Sequence, residues 1–282
     1  MAVSMEAREP VVGQILTPAR FTIDGDHLAG HLEGLSIPAP SRGRLPTTVL
    51  SKPDNDFIME AAFPDRTGHL WIRQEWWFLA PLGQGVEYDV TARVEDIYRK
   101  RNRNVVLYDA RFTDPAGRLV ARSQHHQSFL AAPRPGETVN LRDPSKKAGA
   151  RVFEVPDGER FGGLERVITG EMCARFFQGK ANYHTDLAAS KALGFEKVVV
   201  GGRMTMAYLG HILESRFEDR WFEGGHLDIK FTNPVWMGDT VTAHGVVTGP
   251  AGDDSSREHA FVWVTRTDGV VAIVGRADVP AP

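Results

Sequence analysis

FTNPVWMGDTVTAHGVVTG, from Phe231 to Gly249, decides how this chain folds, because an earlier stretch repeats its pattern. That stretch is FLAPLGQGVEYDVTARVED, from Phe78 to Asp96. Both begin with Phe-x-x-Pro-x-x-x-Gly and continue into residues typical of β-strands. The proline marks a turn because it cannot donate to a strand ladder, and the glycine suits a turn position with positive φ. The pattern therefore predicts two copies of one strand–turn–strand unit.

Each copy lies inside a longer repeat. Helix-like segments come before the two copies, at Thr22–Gly34 and Ile168–Gly179. Strand-like runs follow them, at Val105–Leu130 and His259–Val279. This order predicts an α+β fold with two halves whose antiparallel sheets pair side by side around central helices.

A change in composition separates the two halves. Residues 136–164 are rich in proline, glycine and charge and show no sustained period, as in a linker. We therefore predict an N-terminal half at 1–135, a linker at 136–164 and a C-terminal half at 165–282. Where the second half has helical text at Leu187–Leu193 and again after Gly201, the first half has an irregular stretch at 36–56. We expect the second half to carry the site and the first half to supply the substrate cavity.

Composition excludes several classes of protein. The chain has 282 residues and a formal net charge of −3, so no overall basic field attracts nucleic acid or an anionic membrane. A single cysteine, Cys173, rules out an intramolecular disulfide framework. No secretory signal and no run of about 18 apolar residues is found, which predicts a cytoplasmic protein without membrane insertion.

The C-terminal half resembles a known family. NYHTDLAASKALGFEKVVVGGRMTMAYLG, residues 182–210, followed by GGHLDIKFTNPVWMGDTVTAHGVVTG, residues 224–249, is similar to the MaoC-like, or (R)-specific enoyl-CoA hydratase, family. The resemblance covers most of 165–280 and, more weakly, 12–135, which implies a fused double hotdog fold. It also implies a hydro-lyase that acts on an enoyl or β-hydroxyacyl thioester of coenzyme A or acyl-carrier protein. No cofactor is implied, and a homo-oligomer is expected.

The resemblance also assigns the site residues. His184 stands at the position of the family's catalytic histidine, and Gly202 follows eighteen residues later, where a backbone N–H binds the thioester oxygen. Hydration of a conjugated thioester needs an acid–base group and donors at the oxygen where negative charge develops. We assign catalytic roles to His184, Asn182 and Gly202. We assign substrate binding to the remaining motif residues, Tyr183, Gly201 and Arg203.

Departures from the family pattern keep other functions open. The family's catalytic aspartate lies five residues before the histidine, where this chain has Gly179. The histidine and methionine of the family's His-Gly-Met motif become Gly201 and Arg203. The alternatives are a hotdog thioesterase or another acyl-transforming enzyme, in which His184 activates water for attack on the thioester, and a non-catalytic acyl-thioester-binding protein.

Two adjacent histidines invite a metal-site interpretation. His125 and His126 lie in a strand-like run, where neighbouring side chains point to opposite faces of the sheet. They cannot ligate one ion together, so we predict no metal site there.

Overall fold

The computed structural model describes residues 9–65, 68–132, 153–178, 182–251 and 254–282. The strands in these ranges are β1 (Ala19–Thr22), β2 (Leu70–Phe78), β3 (Glu87–Lys100), β4 (Arg103–Thr113), β5 (Leu119–Leu130), β6 (Glu159–Val167), β7 (Val199–Val200), β8 (His226–Phe231), β9 (Val235–Trp236), β10 (Thr240–Ala251), β11 (Asp254–Arg266) and β12 (Val271–Pro280). The α-helices are α1 (Gly25–Leu35), α2 (Ser51–Asp56), α3 (Gly170–Phe176), α4 (Leu187–Ala192), α5 (Gly202–Phe217) and α6 (Asp219–Gly224).

One ten-stranded antiparallel sheet joins the two halves. Its strand order is β1-β3-β4-β5-β2-β8-β12-β11-β10-β6, so the order in one half mirrors the order in the other. The halves meet where β2 pairs with β8, with Trp76 opposite Leu227. Phe78 and Phe231 are the last residues of these two strands and hold equivalent places. The predicted continuous sheet is therefore confirmed.

The repeated motif supplies the turn between equivalent strands in each half. Gly85 has φ of +74° in the turn before β3, and Gly238 has φ of +94° in the turn before β10. Only glycine adopts such a conformation without steric cost. Beyond the first turn, β3 alternates exposed and buried residues from Glu87 to Val94, as a strand with one face on a core does. The shared turn therefore explains why both halves have the same strand order.

The helices differ between the halves. In the second half, α5 runs for 16 residues and buries most of its length against the sheet. At the irregular stretch the first half has only short helices, namely two 3₁₀ helices at Ser41–Gly43 and Thr47–Leu50, and α2. The sequence analysis predicted no helix there, because segments this short show no helical period. The first half therefore has no helix at this stretch as long as α5 to cover the inner face of its sheet.

The strand β6 bears on the predicted division of the chain. It begins at Glu159, inside the range assigned to the linker, and pairs with β10 at the sheet edge. Residues 133–152, most of the remaining linker, lie outside the described residues. The division into 1–135, 136–164 and 165–282 stays a prediction. Within the described ranges, every helix is too short or too polar to cross a membrane.

Candidate active site

A cavity of about 390 Å³ lies at the seam between the halves. The first half contributes wall residues from β2 and β5, and the second half contributes the 182–184 turn, the start of α5 and the end of β8. The wall includes all six residues that the sequence analysis assigned to the site: Asn182, Tyr183, His184, Gly201, Gly202 and Arg203. The fold thus brings the predicted residues together, while their individual roles stay predictions.

A tight turn holds the backbone of His184. The Asn182 side-chain oxygen accepts a hydrogen bond from the His184 backbone N–H at 2.8 Å. The Asn182 carbonyl accepts from the backbone N–H groups of Thr185 and Asp186. Asp186 then caps α4, because its carboxylate accepts from the Ala189 N–H at 2.7 Å. Asn182 therefore contacts the backbone of His184 and shapes the turn that presents its ring.

The imidazole of His184 has a defined tautomer. Its Nδ1 lies 2.8 Å from the backbone carbonyl oxygen of Val199. A carbonyl can only accept, so Nδ1 must carry the proton, and in the neutral ring Nε2 then carries the lone pair. The ring stacks on Phe177 at 4.2 Å and packs against Tyr183 at 3.9 Å between ring centroids. These contacts fix the plane of a neutral imidazole.

Electrostatics favour the neutral ring. Burial, together with the nearby charges of Arg203 and His69, lowers the pKa of His184 to about 4, although the hydrogen bond to Val199 acts in the opposite direction. Among the described residues, no carboxylate hydrogen-bonds to the His184 ring. Gly179, at the family's aspartate position, lies outside the described residues. At neutral pH His184 is therefore uncharged and able to accept a proton at Nε2.

Two adjacent glycines let aromatic rings approach the start of α5. A β-carbon at Gly201 would lie 2.3 Å from the ring of Phe177 and 3.0 Å from Cε1 of His184. A β-carbon at Gly202 would lie 2.8 Å from Trp71. Distances below 3.0 Å force neighbouring atoms to move, so any side chain would displace these rings. The glycines therefore keep His184 against the helix terminus.

The start of α5 supplies hydrogen-bond donors. Gly201 is the N-cap residue and has no side chain that could bond the first N–H groups of the helix. Such groups lack acceptors within the helix, and the helix dipole adds partial positive charge there. Since Gly201 and Gly202 both line the cavity, this terminus is suited to bind an oxygen that gains negative charge.

Arg203 is turned into the protein. Its guanidinium lies 5.4 Å from the ring centroid of Phe176 and 5.8 Å from that of Phe177, and its Nε lies 3.4 Å from the Ser51 hydroxyl. Burial lowers the pKa of Arg203 to about 10, so the group remains a cation at neutral pH. Arg203 thus places a positive charge beside the aromatic rings that surround His184.

The first half contributes to the cavity wall through residues that the sequence did not single out. Trp71 and Gln127 line the cavity, and Trp71 stacks on buried His125 at 4.3 Å between ring centroids. His125 points inward to Asp54, whereas His126 contacts Tyr98, so the prediction of opposite faces is confirmed. In the described ranges, no group of three or more potential ligand side chains could hold a metal ion.

Comparison with known proteins agrees with this architecture. A family profile for the MaoC like domain matches residues 158–268. No curated protein matches the sequence. A solved MaoC-like dehydratase superposes with a TM-score of 0.73 at 15% identity, covering 96% of this chain and 98% of that one.

Two structures from Mycobacterium tuberculosis are also similar. HtdX superposes with a TM-score of 0.65 at 15% identity, covering 94% of this chain and 99% of its own. A protein described as having a double hotdog fold gives 0.61 at 14% identity, with 95% of each chain covered. At these identities the likeness establishes the fold. Residues 158–268 therefore match the MaoC like domain, and the chain as a whole has the double hotdog fold of these structures.

Proposed function

We propose that the protein is a hydro-lyase that adds water to, or removes it from, an enoyl or β-hydroxyacyl thioester. The MaoC-like family acts on acyl thioesters as hydratases and dehydratases, and residues 158–268 match its profile. The acyl group is carried by coenzyme A or by acyl-carrier protein. The expected homo-oligomer stays a prediction.

One observation carries this proposal. The Nδ1–H of His184 donates to the Val199 carbonyl, which leaves Nε2 as the basic nitrogen of a neutral ring on the cavity wall. A catalytic base must be unprotonated and within reach of water bound beside the substrate. The low pKa of the ring also favours transfer of the proton from His184 to the substrate, because an imidazolium with a pKa of about 4 is a stronger acid than an ordinary imidazolium.

The proposed hydration uses His184 and the start of α5 in two steps. Nε2 of His184 takes a proton from water while the hydroxyl forms a bond to the β-carbon. The electron pair of the carbon–carbon double bond moves toward the thioester oxygen, which the Gly202 N–H and the dipole of α5 stabilise. The imidazolium of His184 then returns a proton to the α-carbon. Dehydration follows the same steps in reverse.

Turnover of an enoyl-CoA series tests the proposal. Loss of the absorbance of the conjugated thioester, without release of free thiol, is expected with wild-type protein. His184→Ala should lower kcat by about 10²–10⁴-fold, the usual contribution of acid–base catalysis. Asp186→Ala is the matched control, because it removes a helix cap two residues away and should cost about 1 kcal/mol of stability with turnover retained.

Other outcomes separate the alternative functions. Release of free thiol would identify a thioesterase in which His184 activates water for attack on the carbonyl carbon. Saturable binding without either reaction would identify an acyl-thioester-binding protein. An unchanged rate of hydration in His184→Ala would refute the role of this residue.

A further inference from the structure

The inner face of the first half carries a row of buried polar side chains on β5. Ser123, His125 and Gln127 alternate along β5 and therefore point to the same face of the sheet. Phe129, the next residue on that face, is fully buried. The exposed fractions of the three polar residues are 0%, 0% and 3%. Burying three polar side chains is costly unless their groups are hydrogen-bonded, so the row needs partners.

A chain of hydrogen bonds supplies most of these partners. The Gln74 amide donates to the Ser123 hydroxyl at 2.8 Å, and Ser123 donates to one carboxylate oxygen of Asp54. The second oxygen of Asp54 accepts from Nδ1 of His125 at 3.0 Å. Asp54 is itself 1% exposed. The buried carboxylate is thus satisfied on both oxygens, and His125 is its paired base.

The last residue in this chain of hydrogen bonds is Gln127. Nε2 of His125 lies 3.2 Å from the side-chain oxygen of Gln127, so the ring donates and the amide oxygen accepts. Both ring nitrogens of His125 then face oxygen atoms. This contact orients the amide of Gln127 and leaves its NH₂ group as the remaining functional end.

The NH₂ group of Gln127 is directed to the cavity. Gln127 lines the cavity wall, and within the described part of the chain its Nε2 makes no hydrogen bond to protein. Protein atoms do not fully enclose this unpaired nitrogen. Trp71 covers His125, which keeps the rest of the chain away from the cavity. A buried, oriented donor with no protein acceptor is suited to bind an oxygen atom of a ligand.

Gln127 does not belong to the immediate surroundings of His184. The His184 ring contacts Phe177, Tyr183 and the Val199 carbonyl, all from the second half. Gln127 is on the wall from the first half, where the contacts are His125 and the paired strand β2. Gln127 and the residues that contact the His184 ring therefore lie on parts of the wall that different halves contribute.

We propose that Gln127 donates a hydrogen bond to an oxygen atom carried by the acyl group, so that the cavity selects oxygenated acyl thioesters over plain hydrocarbon ones. The oxygen is a hydroxyl, keto or ether oxygen beyond the α- and β-carbons. His125 and Asp54 are positioning residues that hold the amide. This proposal rests on the proposed action on acyl thioesters.

Matched substrates and variants test the proposal. The probes are straight-chain 2-enoyl-CoA thioesters of one length, either unsubstituted or with one hydroxyl at successive carbons beyond the β-carbon. Wild-type protein should prefer one hydroxylated member in kcat/KM. Gln127→Met replaces the amide with an unbranched apolar side chain and should reduce that preference between about twofold and tenfold, the value of one neutral hydrogen bond. The preference is measured as the ratio of kcat/KM for the hydroxylated and the unsubstituted substrate, so that any change common to both substrates cancels.

Two further variants control for structural effects. Gln124→Met makes the same change on the same strand, at an amide that bonds Asp109 instead of lining the cavity, and should leave the preference intact. If Gln127→Met unfolds, Gln127→Asn retains an amide but withdraws the donor by one methylene and should also lose the preference. An equal response of both substrates, or a preference that survives in the Gln127 variants, would overturn the proposal.

Binding separates this proposal from the proposed reaction. Saturated acyl-CoA thioesters with and without the hydroxyl cannot be hydrated, and calorimetry measures their affinities directly. Tighter binding of the hydroxylated member by wild type, lost in Gln127→Met, supports the subsite even if no enoyl thioester is turned over. In that case only the hydro-lyase assignment fails. Equal affinities, or no binding of either thioester to wild type, would refute the subsite.

Discussion

Glu214 is a buried carboxyl group on α5 that links this helix to the first half. Its side chain is 3% exposed. One carboxyl oxygen accepts hydrogen bonds from the backbone N–H of Thr47 at 2.7 Å and from the Thr47 hydroxyl at 2.8 Å. Glutamine retains an accepting oxygen and the shape of the side chain but cannot ionise. Glu214→Gln therefore removes the charge while it keeps the contact between the halves.

Burial raises the pKa of Glu214 from 4.5 to about 7, although the two hydrogen bonds from Thr47 oppose the change. One pKa unit corresponds to about 1.36 kcal/mol, so the difference is worth about 3 kcal/mol of unfolding free energy. Between pH 4.5 and 7 the folded protein keeps a proton that the unfolded chain has lost. The contribution of Glu214 to stability therefore falls as pH rises through this range, and the full cost is present above pH 7.

Urea unfolding at pH 4.5 and pH 8 measures this cost. We expect Glu214→Gln to gain about 3 kcal/mol relative to wild type between the two pH values. Comparing the two proteins at each pH cancels the titration of all other groups. Glu196→Gln removes an exposed carboxylate and should show a much smaller gain. If the difference between Glu214→Gln and wild type is the same at both pH values, the reasoning about burial is wrong.

Three further predictions follow from the site and the seam. The pKa of about 4 at His184 predicts that kcat/KM stays level from pH 8 to about 5 and falls tenfold per unit below 4; an acid limb near 6.5 would contradict this. Gly201→Ala places a β-carbon 3.0 Å from the His184 ring and should lower kcat at least about tenfold, as overpacking does. Gly25→Ala meets nothing closer than 3.9 Å and should keep full turnover; equal rates in the two variants would reject the steric argument. At the seam, burial opposes charge on His226, yet its hydrogen bond to Asp278 and the nearby carboxylate of Glu75 raise its pKa to about 9, so stability should decline as pH rises from 6.5 through 9. His226→Gln should remove that part of the decline in thermal unfolding scans.

The local sequence was sufficient to predict the shape of the fold. The repeated Phe-x-x-Pro-x-x-x-Gly pattern predicted equivalent ends for β2 and β8, because a turn is specified by residues close together in the chain. The alternation of β3 is likewise a local property. The mirrored strand order follows once two like units pair side by side. The short helix α2 escaped prediction, since six residues do not establish a period.

The candidate site was predicted only in part. The family resemblance assigned His184 and Gly202 to one site, and the fold places both on one cavity wall, separated by a turn, the short helix α4 and the two-residue strand β7. The sequence could not indicate where the Arg203 side chain points. In the folded chain its guanidinium lies over the rings of Phe176 and Phe177. The sequence also could not indicate that the proton of His184 is at Nδ1, because the Val199 carbonyl meets it only in the folded chain.

The sequence by itself therefore indicated the double α+β repeat. It also indicated which residues to consider for the site, namely His184 before α4 and the two glycines at the start of α5. Only the tertiary structure decided which polar groups meet. Asp54 and His125 are 71 residues apart and come together because α2 packs on the inner face of β5. The period of a strand states which side chains share a face, but not what covers that face. For this reason the buried chain of hydrogen bonds that ends at Gln127 emerged only from the packed sheet.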